Sequence, residues 1–138
     1  MELVVCDIFE NRHLEEKMIK ISKKEFPPNP KEIKIDPTTL PFLDNSQEII
    51  FGITALHEIL DHDKRVLFFK EAKRILKKDG ILIISEQMRD TTNFMFFNIG
   101  AFHFLSKKKW KSAIKESGLK IHETNRINIF AETIIIKN

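Results

Sequence analysis

Residues 36–86 read DPTTLPFLDNSQEIIFGITALHEILDHDKRVLFFKEAKRILKKDGILIISE, and this stretch decides the fold. Two apolar runs within it, residues 48–53 and 81–85, have the β-branched composition of buried strands. Between them, apolar residues recur at helical spacing over residues 63–78, and Gly80 is expected to end that helix. A strand, a helix and a strand in this order predict a parallel pair joined by a right-handed crossover.

The flanking sequence extends this alternation. Residues 2–8 and 32–35 are predicted strands on either side of a helix over residues 12–24, which the prolines of residues 27–30 end. Further on, Ser106 is expected to cap a helix that Gly118 ends. The last two predicted strands, residues 119–124 and 130–136, are joined closely enough to pair antiparallel. The chain is therefore predicted to be one α/β domain over residues 1–138, with a mixed and mostly parallel sheet.

The composition excludes several classes of protein. Hydrophobic residues make up 42% and charged residues 31% of the 138 residues, so the chain can bury a core and is not expected to be disordered. The most apolar stretch, residues 94–105, is too short to cross a membrane, and the first residues lack the pattern of a secretory signal. Cys6 is the only cysteine, which excludes an internal disulfide and a thiolate zinc cluster and favours a reducing cytoplasm.

The charge pattern and the glycine content exclude further classes of function. The net charge is +3, but acidic and basic residues alternate closely, so nucleic-acid binding is not indicated. The richness in lysine and glutamate is compatible with heat adaptation. The four glycines are far apart in the sequence, so no glycine-rich phosphate loop is present in these 138 residues. Kinases, GTPases and standard nicotinamide dehydrogenases are therefore excluded.

The motifs of residues 36–86, taken in order, resemble class I S-adenosylmethionine-dependent methyltransferases. The resemblance implies a Rossmann-like methyltransferase sheet with an antiparallel C-terminal hairpin, S-adenosylmethionine as cofactor and a small molecule as methyl acceptor. The residues that carry it are Asp36, Leu40-Pro41-Phe42, Asp44-Asn45-Ser46, Leu56-His57, Arg74-x-Leu76-Lys77-x-x-Gly80 and Ser85-Glu86.

The resemblance also implies which residues contact the cofactor. Asp7 is the candidate for the ribose hydroxyls and Asp36 for the adenine amino group, since a carboxylate accepts hydrogen bonds from a diol or an amine. Each has a structural alternative, because Asp7 can cap the next helix and Asp36 can form an Asx turn. The full set of implied contacts is Asp7, Ile8, Asp36, Pro37, Gly52, Ile53 and Thr54.

The sequence departs from the family at its start. The family's first strand and its Gly-x-Gly-x-Gly loop have no counterpart, because Met1 stands where the second family strand begins. The resemblance therefore implies a sheet truncated at the N-terminus and a cofactor site that is impaired, with weak binding at best. Because buried strands cannot leave their backbone unpaired, we expect residues 2–8 to move next to residues 48–53, or another subunit to fill the gap.

Two polar side chains are candidates for catalysis on the acceptor side. His57 follows the fourth family strand and Glu86 ends the fifth, where α/β sheets bind ligands. The alternatives are a partly buried histidine at a helix start and a carboxylate that caps a turn. His57 and His62 are five residues apart and would point to different sides of a helix, so no metal site is predicted. The phenylalanines of residues 94–104 are expected to pack in the core or against a subunit.

Two functions follow as hypotheses. The first is a methyltransferase with a small-molecule acceptor and an impaired cofactor site. The second is a non-catalytic relative that serves as a binding or regulatory subunit, as a homo-oligomer or with a partner. Fold alone does not decide between them.

Overall fold

The structure, a computed structural model, describes residues 3–8, 17–27 and 30–138. These residues form two compact units, one ending at Asp36 and one beginning at Pro37, and the single domain over residues 1–138 stays a prediction. Residue 2 of the first predicted strand and the beginning of the first predicted helix lie outside the described residues.

The first unit contains a short parallel strand pair. Strand β1 (Cys6–Asp7) pairs with β2 (Ile33–Lys34), and helix α1 (Lys17–Glu25) lies between them in the chain. The helix ends just before the prolines, as predicted. The expectation that residues 2–8 pair with residues 48–53 is wrong. Among the described residues β1 pairs only with β2, which follows it in the chain after one helix, so this pair forms at a small cost in loop entropy and does not require β3.

The second unit is built on a four-stranded sheet in the order β3-β4-β6-β5. Strand β3 (Gln47–Ile53) runs parallel to β4 (Leu76–Gln87). Strand β6 (Ala131–Lys137) is antiparallel both to β4 and to β5 (Lys120–Arg126). The predicted α/β class and closing antiparallel hairpin are confirmed, in a mixed four-stranded sheet with one parallel and two antiparallel strand pairs.

The helices of the second unit follow the sheet in chain order. Their bounds are His62–Ile75 for α2, Thr91–Phe97 for α3 and Lys107–Glu116 for α4, with 3₁₀ helices at Leu56–Glu58 and Asn98–His103. The predicted cap of α4 is confirmed, because the Ser106 side chain accepts from the backbone N–H of Lys109.

The predicted end of α2 near Gly80 is wrong. The helix ends at Ile75, and Leu76 already has extended backbone. The carbonyls of Arg74 and Ile75 accept hydrogen bonds from the N–H groups of Asn45 and Ser46, at 3.0 and 2.8 Å. The loop before β3 thus supplies donors for the last helical carbonyls, and the chain enters β4 several residues before the glycine.

One face of the sheet forms the core of the second unit. Leu82 and Ile84 of β4 lie opposite Ile136 and Ile134 of β6, and all four are fully or almost fully buried. Helices α2 and α4 contribute the rest, with Phe69 and Trp110 packed edge to face. Buried side chains of this size each stabilise the fold by about 1.5–3 kcal/mol.

Strand β3 is a terminal strand of this sheet. In the described part of the chain, β4 is the only strand that pairs with β3. Its side chains on one face are open to solvent, with Ile49, Phe51 and Ile53 exposed by 42%, 57% and 61%. An edge strand with exposed apolar side chains is a surface that other strands can add to.

The phenylalanines after β4 mostly lie at the surface. Phe94, Phe96, Phe97 and Phe102 are exposed, and only Phe104 is buried. The expectation of core packing is therefore wrong for four of the five, because a helix of seven residues with aromatic side chains all round can bury only one side. Subunit packing of these residues stays a prediction. No helix within the described ranges is long and apolar enough to span a bilayer.

Candidate functional site

The candidate site begins where β3 ends, at the carboxyl end of the parallel pair. Thr54 adopts a left-handed conformation, with φ of 46°, and its N–H donates to the carbonyl of Ser85 on β4 at 2.9 Å. A Cβ on Gly52 would lie 2.7 Å from Leu56 Cδ1. Glycine at this position therefore lets Leu56 fold back onto β3, and the chain turns sharply into the 3₁₀ helix.

Glu86 of β4 holds this turn in place. Its carboxylate is completely buried. Oε1 accepts from the backbone N–H groups of Ala55 and Leu56, at 3.1 and 2.8 Å, and Oε2 lies 2.7 Å from His57 Nδ1. The two side chains named from the sequence as catalytic candidates are thus brought into contact. Because a buried carboxylate is stable only when it is hydrogen-bonded, Glu86 also caps the turn.

His57 lies between two carboxylates. Its Nε2 is 3.3 Å from Glu58 Oε1, and the side chains of His57 and Glu58 are 14% and 18% exposed. The hydrogen bond to Glu86 is the main cause that raises the pKa of His57, and the charges of Glu86 and Glu58 add to it while burial opposes it. The imidazole is therefore fixed in orientation and reaches solvent only along part of its edge.

The far side of the turn is also fixed. Arg65 of α2 is buried, and its Nη1 donates to the carbonyls of Ile59 and Leu60 at 2.5 and 2.7 Å. Burial lowers the pKa of this guanidinium. Asp61 caps α2 by accepting from the N–H of Lys64 at 2.9 Å. Residues 54–61 are thus anchored to β4 at one end and to α2 at the other.

His103 joins this cluster from a distant part of the chain. Its Nε2 lies 3.5 Å from Glu58 Oε1, and its ring centre is 5.2 Å from that of His57. The buried side chains of Ala101 and Phe104 hold its segment against the unit. No spacing signal in the sequence links His103 to His57. His62, which the sequence analysis compared with His57, instead lies 3.1 Å from Glu116.

A second polar cluster explains why several family motifs occur together. Arg74 donates to the carbonyls of Leu40 and Phe42, each at 2.9 Å, and to Asp44 at 2.6 Å. It also forms two hydrogen bonds with Glu71, which in turn accepts from the backbone N–H of Leu40. The Glu71 hydrogen bond is the main cause that raises the pKa of Arg74, and the Arg74 hydrogen bond lowers that of Glu71. The arginine motif therefore fixes the Leu-Pro-Phe loop.

The predicted cofactor contacts differ in how accessible they are. In the first unit, Asp36 is exposed, whereas the Asp7 side chain is only 8% exposed and lies 3.7 Å from Lys23 Nζ. In the second unit, Ile53 and Thr54 are exposed and Gly52 is buried. A carboxylate at the exposed position of Asp36 can accept from a donor such as an adenine amino group. Ile8 and Pro37 are partly exposed, and the assignments of all seven residues stay predictions.

Comparison with known families identifies the group to which this fold and site belong. A family described as "Methyltransferase domain" matches residues 11–84, which is more than half of the chain. The chain belongs to this methyltransferase family. The resemblance to class I S-adenosylmethionine-dependent methyltransferases is thereby confirmed, and S-adenosylmethionine is the cofactor that the membership implies.

Solved structures show the same fold at low sequence identity. A SAM-dependent methyltransferase from Aquifex aeolicus matches 95% of this chain at 16% identity with a TM-score of 0.65, and 65% of its own length is covered. One from Clostridium acetobutylicum matches 96% at 13% identity, with 73% of its length covered and a TM-score of 0.64. An O-methyltransferase family 2 protein from Planctomyces limnophilus, in complex with apigenin, matches 97% at 14% identity, with 42% covered and a TM-score of 0.64.

The chain thus spans less than two thirds of the Aquifex and Planctomyces proteins. A comparison with curated proteins finds no match.

Proposed function

We propose that the protein binds S-adenosylmethionine and transfers its methyl group to a small-molecule acceptor. The observation that carries this proposal is the turn at the carboxyl end of β3, where the buried Glu86 holds His57 in a chain of the methyltransferase family. In open α/β sheets, ligands bind outside the carboxyl ends of the strands.

The acceptor side of the proposed site consists of partly exposed polar groups on a rigid turn. His57 and Glu58 reach solvent, whereas Glu86 is fully buried and acts as a positioning residue. Methyl transfer depends mainly on alignment of the acceptor atom with the methyl group, so a fixed turn suits this chemistry. The apigenin complex of the Planctomyces protein supports a small organic molecule as the class of acceptor.

The cofactor side of the proposal is expected to bind weakly. When bound, S-adenosylmethionine supplies a methyl group attached to a positively charged sulfur. Asp36 and Asp7 are proposed to accept hydrogen bonds from its adenosine part, but these 138 residues contain no glycine-rich loop for its methionine part. Loss of three hydrogen bonds at about 1 kcal/mol each corresponds to about a hundredfold loss in affinity.

Calorimetric titration with S-adenosylmethionine and with S-adenosylhomocysteine tests the cofactor assignment. We expect weak binding by the wild-type chain. Asp36→Ala should weaken it by about 1–3 kcal/mol, or about 5- to 150-fold, because a charged acceptor is lost. Asp79→Ala removes another exposed carboxylate, on β4, and should leave the affinity unchanged. Absence of binding would contradict the cofactor assignment, and tight micromolar binding would contradict the impaired site.

Transfer itself is measured with methyl-labelled cofactor and a panel of small hydroxyl, thiol and amine acceptors. His57→Ala should abolish labelling of any acceptor found, because the acceptor side of the turn loses its imidazole. The matched control is His122→Ala, which changes an exposed histidine on β5 and should transfer the labelled methyl group at the wild-type rate. Equal labelling by both variants would show that acceptors bind elsewhere.

The second candidate function is a non-catalytic binding or regulatory subunit. The observation that favours it is strand β3, which exposes Phe51 and Ile53 at the edge of its sheet. This candidate predicts self-association through β3, measured as mass by light scattering over a range of concentrations. Phe51→Lys should then give monomers, whereas Ile127→Lys, at a similarly exposed apolar side chain outside β3, should not. A wild-type monomer at all concentrations would contradict a homo-oligomer.

The working compartment is proposed to be the reducing cytoplasm. The support is Cys6, the only cysteine of the sequence, which is a free thiol, since proteins of oxidising compartments commonly carry disulfides. Immunofluorescence or fractionation of cells tests the location directly.

A further inference from the structure

Three side chains with metal-binding atoms converge beside the turn that follows β3. His57, Glu58 and His103 each offer one ligand atom, and these atoms lie within 4.8 Å of one another. Glu58 Oε1 is 3.3 Å from His57 Nε2 and 3.5 Å from His103 Nε2. Two imidazole nitrogens and one carboxylate oxygen are a ligand set that binds zinc and other first-row divalent metals.

The two distances from Glu58 Oε1 to the histidine nitrogens match those of a tetrahedral zinc site. With metal–ligand bonds of about 2.1 Å, neighbouring ligand atoms lie about 3.4 Å apart. The two measured separations from Glu58 Oε1 fall on either side of this value. Both Nε2 atoms lie beside the same carboxylate oxygen, and the two imidazole rings meet edge to face at 78°. An ion can enter this arrangement after small side-chain movements.

The hydrogen bond to Glu86 is an independent observation that points to the same use of His57. A carboxylate only accepts hydrogen bonds, so the proton of the neutral imidazole lies on Nδ1 and the lone pair on Nε2. A histidine that donates its other N–H to a buried carboxylate is the usual arrangement around protein-bound zinc. Glu86 is itself fixed by two backbone donors, so the orientation of this ligand is set before any metal binds.

We propose that His57 Nε2, Glu58 and His103 bind a divalent metal ion, for which zinc is the best match. Three protein ligands leave a fourth position open, as in catalytic rather than structural zinc sites. His103 is 51% exposed, so the open position is accessible from solvent. The site departs from the sequence-based expectation of no metal, which compared His57 with His62 and did not include His103.

The open position also indicates a class of methyl acceptor, an inference that rests on the proposed function. A zinc ion there would take the hydroxyl oxygen or thiol sulfur of an acceptor and lower the pKa of that group, which makes it a better nucleophile at neutral pH. The chemical class favoured for the acceptor is therefore an alcohol, a phenol or a thiol.

The test is a titration of the full, tag-free chain with zinc after removal of bound metals by a chelator. We expect one ion per chain. Glu58→Gln and His103→Ala should each weaken binding at least about a hundredfold, because changing only the hydrogen-bond partner of a metal ligand already costs about 10- to 100-fold. Glu86→Gln, which changes the partner of His57, should weaken binding about 10- to 100-fold at unchanged stoichiometry. His103 is exposed, so circular dichroism of His103→Ala should match the wild type.

Two control variants separate this site from other histidines. His62→Ala removes a histidine 3.1 Å from a carboxylate, and His122→Ala removes an exposed one. Both should bind zinc like the wild type. Absence of one-to-one binding, or equal affinity in His103→Ala, would overturn the proposal. Zinc is titrated without S-adenosylmethionine, so failure here leaves the cofactor titration intact, and failure of that titration leaves the metal site intact.

Discussion

Replacement of Glu86 tests whether this buried carboxylate organises the candidate site. It accepts three hydrogen bonds, from the backbone of Ala55 and Leu56 and from the His57 side chain. Glu86→Leu removes all three acceptors and keeps a side chain of similar size. Glu86→Gln keeps an oxygen for the two backbone donors but presents an amide N–H₂ to His57. The two variants therefore differ in how many donors they leave buried without a partner.

The structure sets the size of each effect. A buried donor without a partner costs about 1–3 kcal/mol, so the loss of three acceptors in Glu86→Leu should lower the free energy of unfolding by about 3–9 kcal/mol. In Glu86→Gln, His57 can move its proton to Nε2 and accept from the amide, so a neutral bond replaces a charge-assisted one. That exchange costs about 1 kcal/mol. Since whole domains are stable by about 5–15 kcal/mol, the leucine variant approaches unfolding and the glutamine variant does not.

Urea denaturation at neutral pH, followed by circular dichroism, measures both losses. The matched pair Glu123→Leu and Glu123→Gln changes an exposed glutamate on β5 and should shift the free energy of unfolding by less than about 0.5 kcal/mol. The reasoning would be refuted if both Glu86 variants lost less than about 1 kcal/mol, or if they lost equal amounts. Either result would mean that Glu86 does not hold the turn through these three bonds.

Two further predictions concern the strand before the turn and the loop before β3. Gly52→Ala places a methyl group against Leu56 and should lower the free energy of unfolding in urea by about 1–3 kcal/mol. Adding Leu56→Ala to this variant should cost less than Leu56→Ala costs in the wild type, and additive losses would contradict the contact. Glu71→Gln removes a carboxylate whose pKa Arg74 lowers. The stability that Glu71 contributes is therefore present above its usual pKa of 4.5 and is lost as the pH falls through the lower folded value. The free energies of unfolding of the wild type and Glu71→Gln, measured in urea, should thus differ above pH 4.5 and converge in acid. A difference that does not change with pH would contradict the ion pair.

Most of the fold could be predicted from local sequence patterns. The apolar runs before and after α2, the stripe along this helix and the cap at Ser106 each depend on neighbours in sequence, and each element was predicted with its correct type. The antiparallel hairpin followed from the short connection between β5 and β6. The family motif around Arg74 was found as a pattern, and the structure supplies its reason, because the guanidinium fixes the Leu-Pro-Phe loop.

Tertiary contacts decided what the sequence could not. Helix α2 ends earlier than predicted because the backbone N–H groups of Asn45 and Ser46 donate to its last carbonyls. No residue within the helix indicates this. The partner of β1 was predicted from the need to pair the strands left beside the missing family strand, whereas β1 pairs with β2. His103 approaches Glu58 only because the chain folds back after β4. Contacts between residues so far apart leave no periodicity in one sequence.

The contacts of Glu86 make the acceptor side of the proposed site independent of the glycine-rich loop on its cofactor side. The turn that carries His57 and Glu58 is held by β4, through Glu86, and by α2, through Arg65. None of these contacts requires a strand on the open edge of β3 or a glycine-rich loop. The acceptor side and the proposed metal site can therefore stay ordered in a chain that binds its cofactor weakly. Asp36→Ala should then leave the zinc affinity unchanged and His103→Ala the S-adenosylmethionine affinity, since each residue belongs to one proposed site only.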